Sequence, residues 1–386
     1  MTVEVSQQLR EARLQSGLSQ QELARRAGLS LRTIVNIEMG SHVPSADTMA
    51  RLLRVPALQW EPTRERQAFA PGYDPMGQTE DMIGFFAGPG GAQDQSWLYL
   101  EPQGAIDFRR YCGDPLFAIH YRDPLPLPQV TSAIIERSAP WGVDVLALGP
   151  GDGVVETRFC AYLVEKLPHV NLDLLDCSHG LLSVAFRHAA DSLSRYGVKV
   201  HPIHGDFYKL LDYESITYRA PTDHRRRVWT LFGHTIGNLR DELDFFVKLA
   251  QVSRPGDFLI FDYQLEREPD ALLTGKVPPQ VARWVTGPLR RNLNLGESLP
   301  EIKTSKVTRC PVPGSYAVEI SCEVDRGKGK RFACKLAQVK RYEPQALADA
   351  LLTIGWRAVQ QHKYGPDPQL CGLLLCERAP TERELR

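Results

Sequence analysis

VDVLALGPGDG, residues 143–153, is the stretch whose reading decides the architecture. A short run of mostly apolar, partly β-branched residues ends in three glycines at alternate positions, Gly149, Gly151 and Gly153. Such a run reads as a buried strand, and the glycines permit a tight turn with close approach of the backbone to a ligand. The next segment, VETRFCAYLVEKL at 155–167, has the length and spacing of a helix. Outward from there the alternation continues. NLDLLDCS (171–178) predicts a second strand, 180–195 a helix, VKVHPIHGDF (198–207) a third strand, and RRRVWTLFGH (225–234) a fourth. A helix over 240–253 and the strand DFLIFDY (257–263) follow. Strands separated by helices of about a dozen residues imply a parallel sheet covered on both faces, the α/β class. In such sheets ligands sit beyond the carboxyl ends of the strands, so the loops after each strand carry the chemistry.

Three of those loops stand out. Asp176 ends the second predicted strand, 23 residues beyond Gly153, where a carboxylate can accept both hydroxyls of a ribose. Asp206 in HGDF ends the third strand and suits an adenine amino group. The fourth strand runs into FGHTIGNL, residues 232–239. No phosphate-binding lysine follows the glycine loop, which argues against an ATPase. Glycine loop and acidic strand end together fit either a nicotinamide enzyme or a methyltransferase.

The 386-residue chain suits two or three domains. Lysine plus arginine equals aspartate plus glutamate at 46 each, so no net charge draws the whole molecule to nucleic acid. Residues 1–66 are different: they contain arginines, no lysine and fewer acids than arginines, a modest basic surplus. The eight cysteines form no CxxC pair, and His201 and His204 lack a third convergent partner, so a reduced, cytoplasmic chain without a metal is expected. No long apolar run suggests a membrane span.

Within the N-terminal part, QELARRAGLSLRTIVNIEMG (21–40) predicts two helices about a turn at Gly28, with Ser30 capping the second. Leu23, Ala24, Leu29, Ile34 and Ile37 supply a shared core. This segment resembles the Cro/repressor type of helix-turn-helix over about residues 7–56. The resemblance implies that the second helix enters the major groove and that Gln20, Ser30, Arg32, Thr33 and Asn36 contact double-stranded DNA. It also implies a homodimer, because such domains meet palindromic sites in pairs.

The larger part carries a second resemblance. FGHTIGNL is similar to the GSTIGN motif of the histidine-specific S-adenosylmethionine-dependent methyltransferases, the group containing the ergothioneine-pathway enzymes. YLEPQGAIDFRRYCGDPLFAIHYRDP (99–124), LGPGDG, LDCS, HGDF and RPGDFLIFDYQLE resemble further family elements in the same order. The resemblance spans roughly residues 80–380 and implies a Rossmann-like methyltransferase with a substrate-binding lobe. It implies that Gly149, Gly151 and Gly153 cradle the cofactor S-adenosyl-L-methionine, that Asp176 holds its ribose, and that Asp206 and Phe207 frame its adenine. Gly233 and Thr235 would separate cofactor from substrate. Asn238 would contact an amino-acid substrate's backbone groups; Tyr121, in the matched IHYRDP stretch, is a candidate substrate contact, His120 or His234 a candidate proton acceptor, and Tyr121, His234 and Asn238 are the expected catalytic residues. Asn238 has an alternative reading as the cap of the helix near Arg240.

Two departures bear on the substrate. The family's YYxTRxE is only partly kept in Ile119, His120, Tyr121, Arg122, Asp123 and Pro124. The family's TExSxK[YF] segment has LAQVKRY (336–342) as its counterpart, in which Ala337 and Val339 replace the glutamate and serine that recognise imidazole. A site built for those polar contacts discriminates strongly, so an apolar pair points away from histidine. The expected organisation is a helix-turn-helix domain over 1–58, a linker over 59–80, and a methyltransferase domain over 81–386 whose substrate lobe comes mainly from 81–130 and 264–340. The expected reaction is N-methylation of an amine or amino-acid-like small molecule. A regulator that senses S-adenosylmethionine or a metabolite is one alternative, and a peptide or protein methyltransferase is another.

Overall fold

The structure is a computed structural model that describes residues 9–380 except 11, 15, 40–47, 49–50, 53–54, 56–57, 59–69, 115–121, 221, 268–269, 297, 326–330 and 366–369. The chain divides into two compact units, residues 1–71 with 209–224, and residues 72–208 with 225–386.

In the first unit, α1 (Gln20–Ala27) is capped by Ser19, whose side chain accepts from the Glu22 amide. It ends at Gly28 in the left-handed conformation, the cheapest way to turn a helix end. Ser30 caps α2 (Leu31–Glu38) by accepting from the Thr33 amide, as its place before the apolar run predicts. Leu23, Ala24, Ile34 and Ile37 are buried together with Leu9, Leu18, Leu52 and Val55. Beneath them Arg13 and Glu38 form a buried two-pronged ion pair, 2.6 and 2.9 Å.

The second unit begins with α3 (Pro75–Ala87), capped by Asp74 with proline at its first turn. The expected linker over 59–80 is therefore helical from Pro75, and residues 59–69 lie outside the described residues. Strand β1 (Gly90–Ala92), α4 (Trp97–Leu100), α5 (Pro102–Cys112) and α6 (Leu127–Ser138) precede the alternating core. The core runs β2 (Val143–Leu148), α7 (Val154–Val164), β3 (Val170–Asp176), α8 (His179–Leu193), β4 (Lys199–His204), β5 (Arg226–Leu231), α9 (Glu242–Gln251) and β6 (Phe258–Gln264). All six residues of β2 are buried, the mark of a central strand covered on both faces. After α10 (Pro279–Val285) and α11 (Gly287–Asn292) come β7 (Ile302–Val307), β8 (Tyr316–Asp325) and β9 (Arg331–Arg341). Helix α12 (Pro344–Thr353), β10 (Trp356–Tyr364) and β11 (Cys371–Arg378) close the chain.

The large sheet has the order β10-β11-β6-β5-β2-β3-β4. Strands β2 to β6 pair in parallel, and β11 pairs antiparallel with both β6 and β10. The chain steps outward from β2 through β3 to β4, then returns to β5 on the other side of β2. That reversal opens a crevice at the carboxyl ends of β2, β3 and β5. The expected Rossmann-like α/β class is what the fold shows, with an antiparallel hairpin added at one edge. Sequence pattern did not reveal β10, because its WRAVQQHKY is mostly polar and partly exposed, as an edge strand's outer face is.

A second sheet, order β1-β9-β8-β7, belongs to the expected substrate lobe. Ile320, Cys322, Phe332, Cys334 and Leu336 from its strands are buried against Met82 and Phe86 of α3 and Val285 and Leu289 of α10 and α11. Among the described residues, no helix is long and apolar enough to cross a membrane.

Candidate functional site

A cavity of about 700 Å³ opens where the sequence places the loops, at the carboxyl ends of the core strands. Its floor is the turn after β2. Gly149, Gly151 and Gly153 have φ of 66°, 59° and 73°, a region that costs other residues energy. A Cβ on Gly149 would meet the Phe207 ring at 3.2 Å, and one on Gly151 the Phe108 ring at 3.3 Å. These two glycines and both rings line the cavity. Gly153 serves elsewhere: its missing Cβ would lie 2.9 Å from Ala185 of α8, so it lets α7 start hard against α8, and it does not line the cavity.

Asp176 forms the next wall. It is 5% exposed and accepts a 2.7 Å hydrogen bond from the Ser178 amide. Burial raises its carboxyl to about 7, against the pull of the Ser178 and Gly151 amides. Asp206 stands one layer back, outside the lining, where it accepts from the Tyr208 amide at 2.9 Å and from Gln78 Nε2 at 3.5 Å. Of the expected adenine pair only Phe207 faces the cavity.

The third wall follows β5. Gly233 and His234 are both left-handed, with φ 78° and 60°. The His234 amide donates to Asp262 Oδ1 at 2.9 Å, and its Nδ1 lies 3.4 Å from Oδ2. Tyr364 donates to the same carboxylate at 3.0 Å, and Cys371 Sγ lies 3.7 Å from His234 Nε2. Burial lowers the imidazole's pKa, outweighing the Asp262 charge that raises it. Thr235 bonds to the Phe232 carbonyl at 2.8 Å, and both Thr235 and Asn238 line the cavity. Asn238 does not cap the following helix: α9 starts at Glu242, and Asp241 caps it by accepting from the Asp244 amide.

The substrate lobe supplies the last wall. Tyr99, Phe108, Tyr111 and Trp284 pack as an aromatic cluster, with Tyr111 stacked on Trp284 at 5.6 Å. Ala337 and Val339 line the cavity from β9, opposite Ile320 and Val318 in the sheet. Gln338 between them is occupied, its amide donating to Gln95 Oε1 and its side chain to the Leu239 carbonyl. Tyr121 and His120 fall outside the described residues.

Charge is distributed unevenly around these walls. Arg122 pairs with Asp152 at 2.9 Å, Arg240 with Asp94 at 2.6 Å, and Lys335 with Glu319 at 2.9 Å. Glu156, Asp176 and Asp262 also line the cavity, and none has an arginine or lysine in ion-pair contact among the described residues. The cavity lining thus carries more carboxyl groups than basic side chains among the described residues. Sequence reading missed Glu156 and Asp262. Their signals were present: Glu156 lies in the first helical turn past the glycine loop, and Asp262 lies near the carboxyl end of β6.

In the helix-turn-helix unit, Arg32 and Ser30 are exposed, while Thr33 and Asn36 are half-buried on the same helix. Ser30 and Thr33 are hydrogen-bonded to each other at 2.8 Å, and Gln20 donates to Glu38 at 2.8 Å.

A helix-turn-helix family model matches residues 9–59. No curated protein matches the chain. Among solved structures, an S-adenosylmethionine-dependent methyltransferase from Clostridium acetobutylicum ATCC 824 is similar at 13% identity, over 71% of this chain and 99% of that one, with TM-score 0.39. The Burkholderia thailandensis 1,6-didemethyltoxoflavin-N1-methyltransferase is similar at 12% identity, over 81% and 93%, with TM-score 0.40. The sugar N-methyltransferase KedS8 from Streptoalloteichus sp ATCC 53650 is similar at 13% identity, over 71% and 93%, with TM-score 0.36.

Proposed function

We propose that the second unit is an S-adenosylmethionine-dependent N-methyltransferase whose acceptor is an amine or amino-acid-like small molecule other than histidine. The observation that carries the reading is the cavity itself, with the Gly149–Gly151 turn on one side and buried Asp176 on the other. A Cβ at either glycine would fill the cradle, and Asp176 offers a carboxylate where a nucleoside ribose would lie. Gly149, Gly151, Asp176 and Phe207 would hold the cofactor, which when bound supplies a methyl group on a cationic sulfur. The chain's own work is to bind, orient and keep water out. Asn238 and Thr235 orient the acceptor, His234 is held beside it by Asp262, and Ala337 with Val339 gives the acceptor's side chain an apolar neighbour. Tyr121 is proposed as a further substrate contact on the resemblance alone.

Calorimetric titration of the full chain with S-adenosylmethionine and S-adenosylhomocysteine tests the reading, followed by incubation with methyl-labelled cofactor and a panel of amines. Saturable binding with label transferred to an amine is expected. Absence of binding by either nucleoside overturns it. Ala337→Glu is expected to lower turnover of an apolar amine at least tenfold through a buried unpaired carboxylate, with cofactor affinity kept; unchanged turnover would remove Ala337 from the substrate wall.

The matched helix-turn-helix segment favours a second reading, a regulator in which the cavity senses ligand without turnover. In either case we propose that residues 1–58 bind double-stranded DNA as a homodimer. Arg32→Ala is expected to weaken duplex binding and to reduce the slope of log affinity against log salt by about one for each partner that loses a phosphate contact. Fluorescence anisotropy over a salt series reads this, and an unchanged slope with unchanged affinity would remove Arg32 from the interface.

A further inference from the structure

Glu156 is the most unusual group in the cavity wall. It sits on the first turn of α7, is 2% exposed, and faces the cavity beside Asp262. No side chain among the described residues hydrogen-bonds to its carboxyl, whose only such partner is its own backbone. Among the described residues the charged groups that face it are Asp152 and Asp262, which oppose its ionisation, and Arg122, which favours it and is already paired with Asp152. On its own helix, Cys160 is its titratable neighbour. A buried carboxyl without a side-chain partner is costly unless something that enters the site completes it.

We propose that Glu156 is the counter-charge and proton acceptor for the cationic acceptor nitrogen, which makes the substrate of this site an amine that arrives protonated. The inference rests on the methyltransferase reading and names a residue that reading lacked. Burial raises the carboxyl well above the usual carboxylate range. A cation entering the site offsets that burial, and the carboxyl ionises, releasing its proton to solvent. An N–H bond of the bound ammonium then breaks with its electron pair remaining on nitrogen. The proton bonds to a Glu156 oxygen, leaving a neutral amine beside a neutral carboxylic acid. Asp262 keeps the His234 loop in place by accepting from the His234 amide.

Sinefungin is the probe, because it carries a primary ammonium at the position of the transferable methyl, whereas S-adenosylhomocysteine is uncharged there. Calorimetry on the full chain at pH 7, in two buffers of different ionisation enthalpy, counts the protons released. The wild type is expected to release about one more proton with sinefungin than with S-adenosylhomocysteine, a difference that cancels any contribution of Asp176. Glu156→Gln, nearly isosteric and uncharged, is expected to abolish that difference and to weaken sinefungin at least tenfold, with S-adenosylhomocysteine affinity retained and a melting temperature no lower than the wild type's. Glu156→Asp restores part of the difference. Equal proton counts for the two ligands in the wild type, or the same sinefungin preference in Glu156→Gln, overturn the proposal while leaving the methyltransferase reading intact. Failure of either ligand to bind the wild type overturns both.

Discussion

Asp176→Ala is expected to weaken S-adenosylmethionine binding by roughly 100-fold, since hydrogen bonds to a charged group contribute about 1.5–3 kcal/mol and two ribose hydroxyls would lose their acceptor. The effect has a pH signature. Burial raises the Asp176 carboxyl to about 7, so the accepting carboxylate grows as pH rises from 6 to 8. Wild-type affinity is therefore expected to tighten across that range, while the variant's stays flat. Stability moves the other way. Between the unfolded value near 4 and the folded value the native state holds more protons than the unfolded chain, so this group's contribution falls as pH rises through that window. Asp176→Asn is accordingly expected to melt higher than the wild type at pH 8 and equally at pH 4. Titration calorimetry and thermal circular dichroism check both statements. Wild-type affinity in Asp176→Ala would place the nucleoside elsewhere.

Lys340→Met is expected to destabilise the second unit by about 3–5 kcal/mol, the usual cost of stranding one member of a buried pair. The two side chains are 2% and 0% exposed, and Lys340 Nζ donates both to Glu242 and to the Leu239 carbonyl, the latter at 2.8 Å. Tyr342 donates to the other Glu242 oxygen at 3.3 Å. Lys340 thus ties β9, with Ala337 and Val339, to the end of the loop that carries Asn238. Burial already raises the Glu242 carboxyl despite its partner. Once the lysine is gone, ionisation costs more, so the variant's melting temperature is expected to fall further as pH rises from 5 to 8. Lys340→Met combined with Glu242→Leu removes both charges and is expected to recover most of the loss. Chemical denaturation at two pH values reads the outcome. A single variant as stable as the wild type would show that the pair does not hold the loop.

Much of this protein was legible in the residues alone because the signals were local. VDVLAL followed by alternating glycines predicts a central strand and a left-handed turn, and the structure places β2 and three positive-φ glycines there. Ser30 before LRTIVNIE predicts a helix cap, and it is one. Asp176 at a strand end reaches the cavity because parallel strands carry their carboxyl ends to one edge. Tertiary structure decided whatever depended on which face meets which neighbour. It set Gly153 against Ala185, withdrew Asp206 behind the lining, and gave the cap of α9 to Asp241, leaving Asn238 facing the cavity. Glu156 and Asp262 are more than a hundred residues apart in the chain and come together only where α7 and β6 both reach the same cavity. Spacing reports the period of a single element. The meeting of two carboxyls in one cavity depends on how several elements pack, and that is fixed by the volumes and burial of side chains distant in sequence.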